Sequence, residues 1–324
     1  MISMAAGCCP QFSFSFMQTI RAGVAGAGAM GRNHARVYSQ LDGVDLTVVY
    51  DADASRAEAV AAEFGAQPVS SLEEFARLCD LASVAVPTVA HREVGCRLME
   101  LGLHVLMEKP IAPTVEDASI LVETSQRTGK VLQIGHIERF NPVLRELEKK
   151  LTHPRFIEAH RLSPFPNRSI DIGVVLDLMI HDLEIILHLV GSPIASIDAV
   201  GVSVLTANED IANARLRFEN GCVANVTASR ISPDKMRKIR VFQEDCYLSL
   251  DYQEQSGQVH WREGMQIHRG PVEVEQGEPL KLELEAFVRS ASAGDAPKVS
   301  GQQGAAALSV ALEITRIIRE AAGR

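Results

Sequence analysis

From Thr19 to Gly135, short apolar runs alternate with stretches whose apolar positions recur every three or four residues. The runs predict strands at Ile20–Ala25, Leu46–Tyr50, Leu81–Val86, His104–Met107 and Val131–Ile134, since a strand covered on both faces reads as continuously apolar. The periodic stretches predict helices at Met30–Leu41, Ser55–Phe64, Leu72–Leu78, Val89–Leu101 and Val115–Thr128. Terminal chemistry agrees with this reading. Ser71 and Glu74 have capping-box spacing, and Gly102 and Gly129 follow helix ends. Strand–helix alternation of this kind implies a parallel sheet with helices on both faces.

Beyond Gly135 the pattern changes. Asn141-Pro142 predicts an N-cap with Pro at the first position of a helix running to about Leu151. Phe156–Leu162, Ala195–Leu205, Ala212–Phe218, Val223–Ser229, Lys238–Gln243, Tyr247–Asp251 and Gln258–Arg262 read as strands. A helix is expected around Val174–Val190, and two more at Leu280–Ser290 and Gln303–Ala321. Glu219-Asn220-Gly221 is a hairpin turn, because Asn-Gly tolerates positive φ. Short turns between successive strands imply a largely antiparallel, open sheet. The expected fold class is α/β in the first part and α+β in the second.

Composition narrows the partners. The 324 residues exceed the ~250–300 at which a single core stops growing, so two domains are expected. With 32 basic against 41 acidic residues, the formal charge of −9 argues against nucleic acid and against anionic membrane surfaces. No apolar run reaches the ~20 residues that span a bilayer. Residues 1–16 carry Phe12, Phe14 and Phe16 but no positive charge, so they do not read as a secretory signal. They are read as a disordered extension, with the working chain opening near Met17. The cysteines at 8, 9, 79, 96, 222 and 246 have no zinc-ligand spacing and read as reduced thiols of a cytoplasmic protein.

The first strand runs into Gly26-x-Gly28-x-x-Gly31, and a helix opens there. In that context the glycines serve a dinucleotide: a tight turn at Gly26, close approach of a pyrophosphate at Gly28, and helix–strand packing at Gly31. Residues 17–135 are therefore expected to form a Rossmann domain, and 136–324 a substrate-binding and oligomerisation domain. Asp51 ends the second strand, 20 residues past Gly31, where a carboxylate would bind an adenosine ribose and repel a 2′-phosphate. NAD is favoured, while Arg56 leaves NADP open. Glycines alone also suit a turn for S-adenosylmethionine.

Two further features carry chemistry. Lys109, in Met107-Glu-Lys-Pro110, closes a strand at the sheet's carboxyl edge, where ligands of such folds bind. It suits an oxygen on which negative charge develops; the alternative is a surface lysine before a turn. Asp177 and His181 lie four apart in a helical stretch, so the carboxylate is expected to orient the imidazole as a general base. The alternative is a surface pair. Asp177, His181 and Asp182 lack a second ligand cluster, and no metal is expected. No G-x-S-x-G elbow is present.

Together, Gly26-x-Gly28-x-x-Gly31, Asp51, Glu108-Lys109-Pro110 and Asp177-x-x-x-His181 resemble the Gfo/Idh/MocA oxidoreductases, from about Thr19 to the C-terminus. The resemblance implies NAD(P)-dependent oxidation of a sugar or cyclitol hydroxyl, with Lys109, Asp177 and His181 around the reacting carbon. It places cofactor contacts at Gly26, Gly28, Ala29, Met30, Gly31, Asp51, Arg56, Pro87, Thr88, His91, Glu108 and Lys109. It also implies a homodimer or homotetramer through the C-terminal sheet. Gly135-His-Ile-Glu-Arg-Phe-Asn-Pro142 resembles a subgroup containing enzymes that oxidise the 3-hydroxyl of UDP-N-acetylglucosamine. On that basis His136, Arg139 and Asn141 join Lys109, Asp177 and His181 as expected substrate contacts, with Arg139 meeting a pyrophosphate. Inositol or free-sugar oxidation is the alternative activity, and a non-catalytic NAD-binding regulator the alternative class. The lead-in Asp171-Ile-Gly-Val-Val departs from the glycine-rich segment many members show before the Asp/His pair.

Overall fold

The computed structural model describes residues 19–165, 172–244 and 246–323. The expected N-terminal extension, Cys8, Cys9 and Asp171 lie outside that range. The first half contains β1 (Ile20–Ala25), α1 (Ala29–Tyr38), β2 (Val44–Tyr50), α2 (Ala54–Phe64), β3 (Gln67–Val69), α3 (Leu72–Leu78), β4 (Leu81–Val84), α4 (His91–Glu100), β5 (His104–Glu108), α5 (Val115–Thr128) and β6 (Leu132–Gly135). The six strands form one parallel sheet in the order β3-β2-β1-β4-β5-β6. The order reverses between β1 and β4, which opens a crevice beyond their carboxyl ends. The three-residue β3 was not among the expected strands, because Gln-Pro-Val is too short for any periodicity to show. Ser71 does cap α3 by accepting from Glu74 N at 3.2 Å.

The second half holds α6 (Pro142–Lys150), β7 (Phe156–Leu162), α7 (Ile180–Val190), β8 (Ile194–Val202), β9 (Ile211–Phe218), β10 (Val223–Ser229), β11 (Met236–Phe242), β12 (Cys246–Asp251), β13 (Ser256–Glu263), β14 (Gln266–Val272), α8 (Pro279–Ala293) and α9 (Gly301–Ala321). Its eight strands run β14-β13-β12-β11-β7-β10-β9-β8. All neighbours are antiparallel except β7 and β10. β14 was unforeseen; its Pro271 is tolerated because it lies on an edge strand.

One face of this sheet is apolar and sealed by α7 and α9, whose residues Ile180, Leu183, Ile186, Ala311 and Ile314 are buried with Ile157, Ala214, Val226 and Ile239. Among the described residues, no helix covers the opposite face. Across it runs a ladder of rings, Phe156–Phe242–Tyr247–His260, with centroids 5.5, 4.6 and 5.1 Å apart. The last two helices return to the first sheet. Leu280, Leu284 and Phe287 of α8 share a core with Val24, Tyr38 and Leu106, and an Arg36–Glu278 ion pair ties α1 to its start. Val299 and Leu308 enter the core beneath β5 and β6, where Ile134 N donates to Val299 O at 3.0 Å.

Candidate active site

The crevice is built by the glycine loop. Gly26 has φ +100°, and a Cβ there would stand 2.5 Å from the Ala85 backbone, so the loops after β1 and β4 meet with no room for a side chain. A Cβ on Gly31 would lie 1.7 Å from Gly26 O, whereas one on Gly28 would meet nothing within 4 Å. The crowded glycines are thus required by the fold, and Gly28 faces open space. α1 begins at Gly28 with no side-chain cap and no acidic residue in its first turn. The amides of Ala29, Met30 and Gly31 have no acceptor within the helix and carry its positive dipole end. An anion of a dinucleotide fits this cradle.

Asp51 is held beside the loop: its Oδ2 accepts from Ala27 N at 2.6 Å and its Oδ1 from Asp53 N at 2.9 Å. Both oxygens retain lone pairs for ribose hydroxyls. Arg56 is exposed and turned to Asp53 Oδ2 at 3.3 Å, which offsets its attraction for a 2′-phosphate. Pro87 and Thr88 lie at the crevice rim, where Ala90 N donates to Pro87 O at 2.8 Å. His91 does not face the cofactor as expected. It is buried, its ring nitrogens 3.0 Å from Val86 O and 3.0 Å from Pro110 O, so it pins the loop after β4 to the loop after β5. Glu108 also works from behind. Its Oε1 meets His34 Nε2 at 3.0 Å and its Oε2 accepts from Lys109 N at 3.2 Å.

Lys109 emerges from β5 before the cis peptide to Pro110. Its Nζ donates to Asp177 O at 2.7 Å and lies 3.4 Å from Asp177 Oδ1. Burial pulls its pKa below the usual 10.5, against the opposing charges of Asp177 and Glu108. Asp177 itself lies in a π-helical turn, Val175–Met179, that leads into α7. This corrects the expected α-helical pairing of Asp177 with His181. In the wider i→i+5 turn, residues four apart no longer stack. Asp177 is engaged by Lys109, and Nδ1 of His181 is buried with no hydrogen-bond partner among the described residues. His181 is partly exposed. Burial first, then the Lys109 and Arg161 charges, push its pKa well below 6.5, so the ring is neutral.

The remaining expected substrate contacts are interior. His136 packs edge-on against His181 with centroids 6.1 Å apart, and burial beside Lys109 holds its pKa down to about 3. It forms the wall behind His181 and leaves no surface for substrate. Asn141 caps α6, accepting from Val143 N at 3.2 Å and donating to Tyr252 O at 2.9 Å, so its polar atoms are used inside the protein. Arg139 is 2% exposed and bonds Glu184 Oε1 at 2.7 Å, which removes it as a pyrophosphate ligand.

Replacing Arg139 with Met would strand a buried carboxylate, and a loss of about 3–5 kcal/mol is expected, read from denaturant midpoints. The double variant R139M/E184M should recover most of it. A rise in substrate KM at unchanged stability would restore Arg139 to the site.

Sequence reasoning missed an ion cluster beneath these groups. Arg161 of β7 bonds Asp182 twice, at 2.7 and 3.1 Å, and Glu138 at 2.9 Å. Its sign in the sequence was an arginine at the inward position after Ile157 and Ala159, where a period-two pattern calls for an apolar residue. A second pair, Arg230 Nε to Asp210 Oδ1 at 2.9 Å, braces the lead-in to the π turn, since Arg230 Nη1 also donates to Ile172 O at 2.8 Å. Gly173 lies against the Glu209 carboxylate: a Cβ there would stand 1.8 Å from its Oε1 and would require that side chain to move.

A dinucleotide crevice with a lysine and a neutral imidazole at its mouth defines an NAD-binding oxidoreductase. The comparisons with known proteins agree. A family model described as an oxidoreductase family with an NAD-binding Rossmann fold matches residues 20–136, and the Gfo/Idh/MocA C-terminal domain matches residues 147–249. The chain belongs to the Gfo/Idh/MocA family. It is 35% identical over 302 residues to the UDP-N-acetylglucosamine 3-dehydrogenase of Acidithiobacillus ferrooxidans, covering 91% of this chain and 96% of that one. A solved structure of that enzyme superposes with a TM-score of 0.89, covering 93% and 98% of the two chains. A scyllo-inositol 2-dehydrogenase of Bacillus subtilis is 27% identical over 66% of this chain and 68% of its own. No helix among the described residues is long and apolar enough to cross a membrane.

Proposed function

We propose that this chain oxidises the 3-hydroxyl of UDP-N-acetylglucosamine with NAD as acceptor. The observation that carries the reading is the 35% identity to an enzyme of that activity, which runs through both the cofactor half and the substrate half. Residues to about 135 would hold the cofactor; those after it would hold the substrate and the assembly contacts. The glycine loop and Asp51 would hold NAD, which would supply the hydride acceptor for the reacting carbon.

The chain's own residues handle the proton. The neutral His181 accepts it from the hydroxyl, and Lys109 donates a hydrogen bond to the same oxygen. A low imidazole pKa does not bar this role, because the hydroxyl becomes strongly acidic as hydride leaves. Asp177 keeps Lys109 cationic against its burial. Asp177→Asn removes that support, so Lys109 would deprotonate at lower pH. The alkaline fall in kcat/KM is expected to move to lower pH in a pH–rate profile, and an unmoved limb would reject the role.

The uncovered sheet face, with its ring ladder, supports assembly into a homodimer or homotetramer. Cys79, Cys96 and Cys222 form no disulfide among the described residues, which supports a cytoplasmic setting. NADH absorbance over a panel of UDP-N-acetylglucosamine, the free sugar and inositols tests the activity. Turnover of the UDP-sugar without response to inositol is expected. Inositol turnover alone would move the enzyme to the cyclitol dehydrogenases, and silence throughout would leave a non-catalytic NAD-binding regulator.

A further inference from the structure

A neutral imidazole accepts a proton on one nitrogen only when the proton it already carries is on the other. His181 is partly exposed, and of its two ring nitrogens Nδ1 is the one buried without a partner. Nε2 is thus left for a substrate hydroxyl, and the productive tautomer carries its proton on Nδ1. A buried N–H is costly unless something accepts it, so an unsupported ring would favour the unproductive tautomer. Asp177, the carboxylate expected to supply that support, is drawn instead to Lys109, with Oδ1 3.4 Å from Nζ.

The groups around His181 narrow the choice. Lys109 and Arg161, whose charges act on the ring, are donors only. His136 can accept. Its place follows from register: Glu108 and Gly135 are paired across β5 and β6, so Lys109 and His136 leave the sheet side by side at its carboxyl edge. His136 is 1% exposed, and its ring stands at 86° to that of His181 with centroids 6.1 Å apart. Both of its ring nitrogens are buried with no hydrogen-bond partner among the described residues. Burial, with the Lys109 and Arg139 charges, keeps the ring neutral, so one of those nitrogens is a bare acceptor. Two neighbouring imidazoles therefore bury three ring nitrogens in need of partners. Interiors rarely leave such groups unmet, and a water is the usual bridge where the gap is too long for a direct bond.

We propose that His136, through one bridging water, holds the proton on Nδ1 of His181 and so keeps Nε2 free to take the hydroxyl proton. His181 Nδ1–H donates to the water, and the water donates to the bare nitrogen of His136. His136 is a positioning residue, since it acts on the substrate only through His181. This rests on the reading of His181 as proton acceptor and deepens it, giving to His136 the orienting role expected of Asp177.

Nitrogen NMR of the imidazoles reads the tautomer with no substrate present, the His181 signal being assigned by its loss in H181Q. Wild-type His181 is expected to be protonated on Nδ1. H136F keeps a ring and removes both nitrogens. In it the His181 proton is expected to move to Nε2 and kcat for the UDP-sugar to fall about 100-fold, with KM and NADH affinity within about twofold. H136Q returns an amide that can accept, and should recover part of both the tautomer and kcat. A wild type protonated on Nε2 overturns the inference, whether or not the variants fold. So does H136F with unchanged kcat, a fall in kcat with the tautomer unmoved, which shows a structural role, or an H136Q that recovers neither. Each of these leaves the dehydrogenase activity standing. A wild type silent on every sugar and inositol overturns that activity, and the inference with it.

Discussion

Lys109→Met is expected to lower kcat about 10³-fold while NADH affinity stays within about twofold. Methionine keeps the unbranched stem and its packing, so the change removes the charge and the donor and little else. In the resting site Nζ is held by Asp177 O at 2.7 Å, 19% of the side chain is exposed, and the group lies at the carboxyl end of β5. Charge developing on the substrate oxygen would there be stabilised in a site largely shielded from water, where a donor counts for more. In the proposed site, dinucleotide binding would draw on the glycine loop and Asp51, on the other side of the sheet's reversal point. Stopped-flow and steady-state rates, with NADH fluorescence titration, separate the two effects. Wild-type turnover in K109M would remove Lys109 from the chemistry.

Gly31→Ala should all but abolish cofactor binding, with affinity for NADH down more than about 100-fold and stability down about 3 kcal/mol. The added methyl would stand 1.7 Å from Gly26 O, and Gly26 has no space to retreat into, given the Ala85 backbone behind it. Either the start of α1 swings away from β1 or the loop unfolds, and each outcome dismantles the phosphate cradle. Gly28→Ala supplies the contrast. Its Cβ has nothing of the protein within 4 Å, so thermal stability should be unchanged while NADH binding weakens. Equal melting temperatures for G31A and wild type would contradict the crowding described at this turn.

Much of the fold was legible because each element declared itself through local chemistry. Leu72–Leu78, Val115–Thr128, Phe156–Leu162 and Val223–Ser229 fall where the apolar spacing and caps put them. The candidate NAD crevice was legible for the same reason: strand, glycines, helix and a second strand ending at Asp51 follow one another along the chain. What escaped was set by tertiary packing. Periodicity could not show that Val175–Met179 winds as a π turn and so parts Asp177 from His181. Nor could it show that Arg139 and Asn141, polar residues in a plausible binding motif, spend their hydrogen bonds inside the protein. Their partners Glu184 and Tyr252 lie 45 and 111 residues further along the chain.

The return of α8 and α9 to the first sheet has a consequence for how the molecule is made. Leu280, Leu284 and Phe287 complete the core around β1 and α1, and Val299 and Leu308 complete the one beneath β5 and β6. Translation proceeds from the N-terminus, yet the sheet built by residues 20–135 is finished by residues between Leu280 and Leu308. The dinucleotide crevice therefore cannot mature on the ribosome as an independent unit. It must wait, with apolar surface open, until residues through Leu308 have emerged. A fragment ending near residue 136 would be a poor graft for moving this cofactor site into another protein.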